Sequence, residues 1–214
     1  MTVHLRTNVF AAQVEEDLVL LDLARDRYLC VPGASSSELR LSSDRRTLDG
    51  LQPEQRAALM QAGLVSEVRT LGACPPDLPT RGLDPSQTVE PSPADRIRLA
   101  QSVLDLVLGY AGRPFADLLA ASLAPAEAPA GAVRDVEREA RLFHRLAVWA
   151  PVGPKCLARS FLLRRFLRRA GCDAAWVFGV RTWPFGAHCW LQAGDVVLDD
   201  APERVAQFEP ILAA

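Results

Sequence analysis

The sequence predicts an α+β protein built in two parts, and three observations carry that reading. Short apolar runs with strand-like alternation, separated by turn residues, fill the first 70 or so positions. Residues 72–94 are rich in proline (75, 76, 79, 85, 91 and 93) and lack apolar periodicity. Beyond them, helical periodicity gives way after Gly171 to runs rich in aromatic and branched residues. A chain of 214 residues has room for one large domain or two small ones. The predicted division is 1–71, a linker over 72–94, and a second domain over 95–214.

Composition narrows the function classes. The chain is 49% hydrophobic and 23% charged with a net charge of −2, so no basic field points to nucleic acid. No apolar run reaches the roughly 20 residues a membrane span needs, and the N-terminus lacks a signal peptide's apolar stretch, which places the protein in the cytoplasm. The five cysteines (30, 74, 156, 172 and 189) are odd in number, and no two form a CxxC pair. Neither a disulfide framework nor a metal site is predicted, and each thiol is expected free.

In the first part, "HLRTNVFAAQ" and "LVLLDLARDRYLCV" read as strands, with residues 24–27 as a turn. "ASSSELRLSS" allows a short helix, and "QPEQRAALMQAG" a second one, with Pro53 in its first turn and Gly63 as its stop. "LVSEVR" closes as a strand. Strands followed by two or three helices and a strand make a small unit of winged-helix-like design. It holds no nucleophile with a base, so it is expected to bind rather than catalyse.

In the second part, Ser92 caps "PADRIRLAQSVLDLVLGYAG", where Ile97, Ala100, Val103, Leu104 and Val107 mark an apolar face. A shorter helix follows at "FADLLAASLA". The Ala/Pro-rich "PAEAPAGA" breaks the pattern before "VRDVEREARLFHRLAVW", whose His144 reads as an ordinary interfacial histidine. Two prolines and a glycine keep residues 151–154 out of a helix, so Cys156 opens the next one. There the unpaired N–H groups and the positive end of the helix dipole favour a thiolate and can cradle an oxyanion, and Lys155 pushes the same way. Residues 156, 160, 163 and 167 share one helical face, while arginines 164, 165, 168 and 169 read as a solvated cluster.

"CDAAWVFGVR" and "AHCWLQ" read as strands, "AGD" as a turn and "VVLDD" as the returning strand. "TWPFG" interrupts the first two, with Trp183 and Phe185 expected to pack into the core. A thiol at a helix start beside a sheet carrying histidine and aspartate is what a thiol hydrolase requires. Register selects the aspartate. A two-residue turn at Gly194-Asp195 sets Asp199 opposite Trp190 and Ala201 opposite His188. A three-residue turn sets Asp200 directly opposite His188. A one-residue slip reverses the faces, and the closeness of directly opposed side chains favours Asp200.

The order Cys156, His188, Asp200, the "CLARS" opening of the helix and "AHCW" ahead of "DD" resemble the transglutaminase-like leader peptidases of lasso-peptide biosynthesis, the B proteins. Residues 1 to about 70 resemble the PqqD-like precursor recognition element fused ahead of the peptidase in one branch of that family. The resemblance implies a transglutaminase/papain-like helix-plus-antiparallel-sheet peptidase domain with Cys156 as nucleophile, His188 as base and Asp200 as orienting acid. It implies a leader peptide held as an added strand beside Tyr28, Leu29, Cys30 and Val31 and against the helix at 53–62. It further implies a precursor peptide as substrate and a cyclase resembling asparagine synthetase as partner. The family is linked to ATP, but the chain has no glycine-rich phosphate loop, so no cofactor is expected and nucleotide use falls to the cyclase. Two positions depart from the family pattern: Cys189, where a small residue is more common, and Asp199, where asparagine or another polar residue is expected. Acyl transfer to an amine by the same three residues, as in transglutaminases and arylamine acyltransferases, and a non-catalytic peptide-binding scaffold remain as alternatives.

Overall fold

The structure is a computed structural model that describes residues 2–37, 39–70, 74–110, 112–123, 135–148, 150 and 155–214. The chain forms two compact units: Met1–Pro75 with Phe178–Ala187 and Phe208–Ala213, and Pro76–Val177 with His188–Gln207 and Ala214.

The first unit starts with β1 (Val3–Leu5), β2 (Val9–Val14), β3 (Asp17–Asp22) and β4 (Arg27–Val31), followed by β5 (Arg40–Leu41), β6 (Thr47–Asp49), α1 (Pro53–Gln61) and β7 (Val65–Ser66). Strands β2, β3 and β4 form an antiparallel meander, and β5-β6-β1-β7 form a second sheet. A two-residue turn pairs Val14 with Asp17, and a four-residue loop at 23–26 pairs Asp22 with Arg27. All six residues of β3 are buried. The core gathers Val3, Leu5, Val9, Leu18, Leu20, Leu48 and Leu64. Buried Arg46 donates to the carbonyls of Val9, Leu5 and Arg6, and the Thr70 hydroxyl also donates to that of Leu5.

Helical content is where this unit departs from expectation. "ASSSELRLSS" makes one 3-10 turn at Ser35–Ser37 and then strand β5, and α1 is the one α-helix among the unit's described residues. The cause is local. Ser42 bonds the Asp44 carboxylate, and Asp44 accepts the Arg46 N–H, an Asx-type turn that folds β5 back onto β6 in place of a second helix.

The second unit starts with β8 (Arg81–Gly82), α2 (Pro93–Gly109), α3 (Phe115–Leu123), α4 (Val136–Ala147) and α5 (Cys156–Arg169). Next along the chain are β9 (Ala175–Arg181), β10 (Gly186–Ala193), β11 (Val196–Val197), α6 (Pro202–Val205) and β12 (Glu209–Ala213), and one sheet has the order β12-β9-β10-β11-β8. The described part of the proline-rich stretch enters this sheet. Strand β8 runs parallel to β11, Thr80 and Arg81 donate to the Asp195 carbonyl, and the Gln192 side chain donates to the Asp77 carbonyl. Ser92 and Asp95 form a capping box at the start of α2. The predicted breaks at "PAEAPAGA" and at 151–154, and Trp149, lie outside the described residues.

Helices α2, α4 and α5 pack on one another. Helix α2 does so with a different face from the one its apolar pattern predicts. Ile97, Ala100, Leu104 and Val107 are exposed, whereas Arg98, Leu99 and Ser102 are buried. Arg98 turns inward because fully buried Glu139 of α4 takes its guanidinium at 2.6 Å, and the guanidinium carbon lies 4.0 Å from the centre of the Phe166 ring. The arginine cluster of α5 is paired rather than merely solvated: Arg164 and Arg168 with Asp173, Arg165 and Arg169 with Asp105.

A buried pair of this kind costs most when half of it is removed. Glu139→Gln is expected to lower unfolding stability by up to roughly 3 kcal/mol, since buried Arg98 then loses one of its two carboxylates and keeps Asp95. Arg98→Met/Glu139→Gln is expected to recover a large part of that loss, both read from urea denaturation midpoints.

Candidate active site

Helix α5 begins at Cys156 with Lys155 as N-cap, and no side chain caps its first turn. The first-turn N–H groups are thus available at the half-buried Cys156. On the same face, Ser160, Leu163 and Leu167 are buried, as the helical spacing predicts.

Strand β10 supplies His188 and Cys189. Gly194, at φ 59, allows the two-residue turn, and the pairs are Ala193 with Val196 and Gln192 with Val197. The hairpin therefore takes the register that does not set Asp200 opposite His188. One further rung follows, the Leu198 N–H to the Leu191 carbonyl at 2.8 Å, beyond the end of β11 at Val197. For the second bond of that pair a side chain replaces the backbone partner. The Asp199 carboxylate accepts the Leu191 N–H at 2.8 Å and the Ser160 hydroxyl at 2.5 Å. Asp200, no longer bound by the strand's alternation, reaches back so that its Oδ2 lies 2.5 Å from His188 Nε2. Asp200 also accepts the Ala201 N–H and lies 3.7 Å from Arg204.

The structure brings Cys156, His188 and Asp200 together: Asp200 is hydrogen-bonded to the His188 ring, and the Cys156 thiol acts on the same ring. Asp200 faces His188 through the loop after β11, not through cross-strand opposition. With Nε2 occupied, Nδ1 is the ring nitrogen left for the thiol. The Cys156 thiol is pushed down to about 4, first by a hydrogen bond from the Cys189 thiol, then by one from the His188 imidazole, with the Cys189 backbone N–H and the imidazolium charge adding to them against burial. Burial alone would lower His188, but its bonds to Cys156 and Asp200 outweigh it and raise it above the ordinary histidine value. A thiolate–imidazolium pair is the resulting resting state, able to attack an acyl carbon and return a proton to a leaving group.

Several residues in this neighbourhood were given no functional role from sequence. His144 of α4, shifted down chiefly by burial, uses Nε2 to hold the Leu198 carbonyl at 2.6 Å and so braces the loop carrying both aspartates. Tyr110, at the end of α2, packs its ring 5.7 Å from Phe161 and interacts with both Cys156 and Cys189. Ser160 carries no sequence signal beyond its helical spacing from Cys156.

The four predicted peptide-binding residues lie elsewhere, in the first unit. Tyr28, Leu29, Cys30 and Val31 belong to β4, the edge strand of its meander. Tyr28, Leu29 and Cys30 border a recess of about 170 Å³ together with Thr182, Trp183 and Phe185. Trp183 and Phe185 do not pack into the core: they are 74% and 51% exposed, the indole N–H bonds Asp17 at 2.6 Å, and Phe185 lies 5.4 Å from Tyr28.

Residues 100–213 match the family described as the transglutaminase-like superfamily. A 47-residue stretch is 47% identical to the microcin J25-processing protein McjB of Escherichia coli, spanning 22% of this chain and 23% of that protein. No solved structure matches.

Burial holds the partly buried Asp199 at about 6, above the ordinary 3.8, despite its two donors. A folded value raised above the unfolded one means stability that is complete below pH 3.8 and lost as pH climbs through 6. About 3 kcal/mol of relative stability should therefore disappear from wild type against Asp199→Asn between pH 4 and 7.5, read as the difference between their Tm values across that range.

Proposed function

This chain belongs to the transglutaminase-like superfamily, and from that premise we propose that it is a cysteine peptidase of lasso-peptide biosynthesis. It binds the leader of a ribosomally made precursor and cleaves it off, so that a partner cyclase resembling asparagine synthetase can close the macrolactam ring. The observation that carries the reading is the linked set of Cys156, His188 and Asp200, with a thiol ionised far below its ordinary range. The likeness of a short stretch to a microcin-processing protein supports the same substrate class.

In this mechanism the Cys156 thiolate attacks the carbonyl carbon at the leader–core junction. The Cys156 N–H, at the start of α5, is one donor to the oxyanion. The His188 imidazolium gives its proton to the leaving amine as the C–N bond breaks. His188 then takes a proton from the water that attacks the thioester, and the C–S bond breaks to restore the thiol. Asp200 fixes the ring orientation and stabilises the imidazolium. In the first unit, edge strand β4 would take the leader as an added strand along Tyr28–Val31, with the neighbouring recess receiving one of its apolar side chains. That unit is the PqqD-like recognition element of the proposal. Nucleotide use is assigned to the cyclase.

Superfamily membership also supports a second reading, transfer of the acyl group to an amine in place of water. Incorporation of hydroxylamine into the released leader, in preference to hydrolysis, would establish it.

The test is mass spectrometry of the precursor peptide after incubation with the protein. Wild type is expected to release a discrete leader, and Cys156→Ala to bind the precursor without cutting it. Absence of cleavage by wild type, even with the cyclase and ATP present, would remove the peptidase reading. The two aspartates separate in the same assay. Asp200→Asn is expected to lose about a hundredfold or more in turnover through the lost orientation of His188, and Asp199→Asn far less.

A further inference from the structure

We propose that the recess where the end of α2 meets α5 binds a phosphate monoester, with Arg113, Arg164 and Arg168 on the phosphate and Leu108 and Phe161 against its apolar group. The site stands apart from the peptidase reading, because none of Cys156, His188 and Asp200 lines it.

Helical spacing gathers the arginines. Positions 161, 164, 165 and 168 follow one another at intervals of one, three or four residues, so they share one face of α5, and α5 packs on α2. There Asp105, Leu108 and Gly109 of α2, with Arg113 just beyond it, complete a recess of about 260 Å³. That volume suits a small ligand rather than a drug-sized one.

Arg164 is the residue that points to a ligand. It is 4% exposed, its Nε reaches Asp173 at 3.3 Å, and its buried Nη1 has no acceptor among the described residues. Burial draws its ionisation down, and Asp173, which also holds Arg168 at 3.1 Å, restores only part of that. An arginine keeps its proton even so, and the buried charge stays undercompensated until an anion lies beside it.

The charge balance selects the anion. Asp105 is shared by Arg165 and Arg169, and Asp173 by Arg164 and Arg168. Arg113 is exposed and has no carboxylate partner among the described residues. Five guanidiniums thus meet two carboxylates, leaving three positive charges in excess. One carboxylate would answer a single charge. A phosphate monoester brings about −1.5 to −2 at pH 7 and three acceptor oxygens, which guanidinium forks match in geometry. The other walls are apolar: Phe161 is buried, and Leu108 lies 69% exposed. A compact apolar group on the phosphate covers Leu108 as it binds.

The test is isothermal titration calorimetry of the full chain at pH 7.5 and constant ionic strength, with phenyl phosphate, inorganic phosphate and benzoate as probes. Phenyl phosphate is expected to bind once per chain and about tenfold or more tighter than benzoate. Inorganic phosphate is expected to bind more weakly than phenyl phosphate; equal affinity would assign the recess to the free anion and overturn the ester. Arg164→Met and Arg113→Gln are each expected to weaken phenyl phosphate about tenfold. Arg96→Gln, at an exposed position of α2 outside the recess, is expected to leave it unchanged. Leu108→Ser is expected to weaken phenyl phosphate and spare inorganic phosphate. No binding of phenyl phosphate, benzoate bound as tightly, or an equal loss in Arg96→Gln overturns the proposal. Should Arg164→Met not fold, Arg113→Gln and Leu108→Ser, both at exposed positions, decide. Precursor cleavage, assayed separately, bears on the peptidase reading and not on this site.

Discussion

The candidate site depends on one partly buried carboxylate. Asp199 replaces the second backbone bond of the last pair of the β10–β11 hairpin by accepting the Leu191 N–H, and with its other oxygen it takes the Ser160 hydroxyl of α5. A single side chain thus ties the helix that carries Cys156 to the strand that carries His188. It also ends the strand's alternation at the point where Asp200 must swing round to the imidazole. The tie has a thermodynamic cost, since a carboxylate drawn away from water is held at about 6. Two donors offset part of that desolvation. An apolar residue at 199 would remove the cost but leave the Leu191 N–H unpaired and Ser160 free to rotate.

Around that tie the helices are held by polar pairs rather than by an uninterrupted apolar seam. Arg98 and Glu139 join α2 to α4, with Phe166 of α5 against the guanidinium. Asp105 joins α2 to Arg165 and Arg169 of α5. Such pairs add little net stability over well-packed apolar groups, but they penalise every rotation that would strand a charge. That is consistent with α2 leaving Ile97, Leu104 and Val107 outward: a helix rotated to bury them would pull Arg98 from Glu139.

How much of this could be read in the sequence depends on the range of the interaction involved. Cys156 at a helix start is legible because Pro151, Gly153 and Pro154 before it and helical periodicity after it are local signals. His188 within a strand is legible for the same reason. The pairing of Asp200 with His188 was reached from a direct cross-strand register, whereas the hairpin adopts the other one and a side-chain rung frees the following loop. No sequence pattern encodes that substitution. The outward face of α2 was misread because apolar spacing says nothing of a buried glutamate 41 residues away. The strand-rich first unit was misread because Ser42 and Asp44 form a turn that competes with helix. Cys189, set aside as a departure from a family pattern, is buried with its sulfur 4.0 Å from Ser160 Oγ.

A thiol ionised at about 4 is plentiful but not strongly nucleophilic, because intrinsic reactivity falls as basicity falls. Donors that hold the charge too firmly would therefore slow attack as well as favour ionisation. Only interactions stronger in the transition state than in the ground state accelerate a step. In the proposed mechanism His188 meets that condition better than a fixed donor would, because its proton leaves with the amine as charge leaves the sulfur.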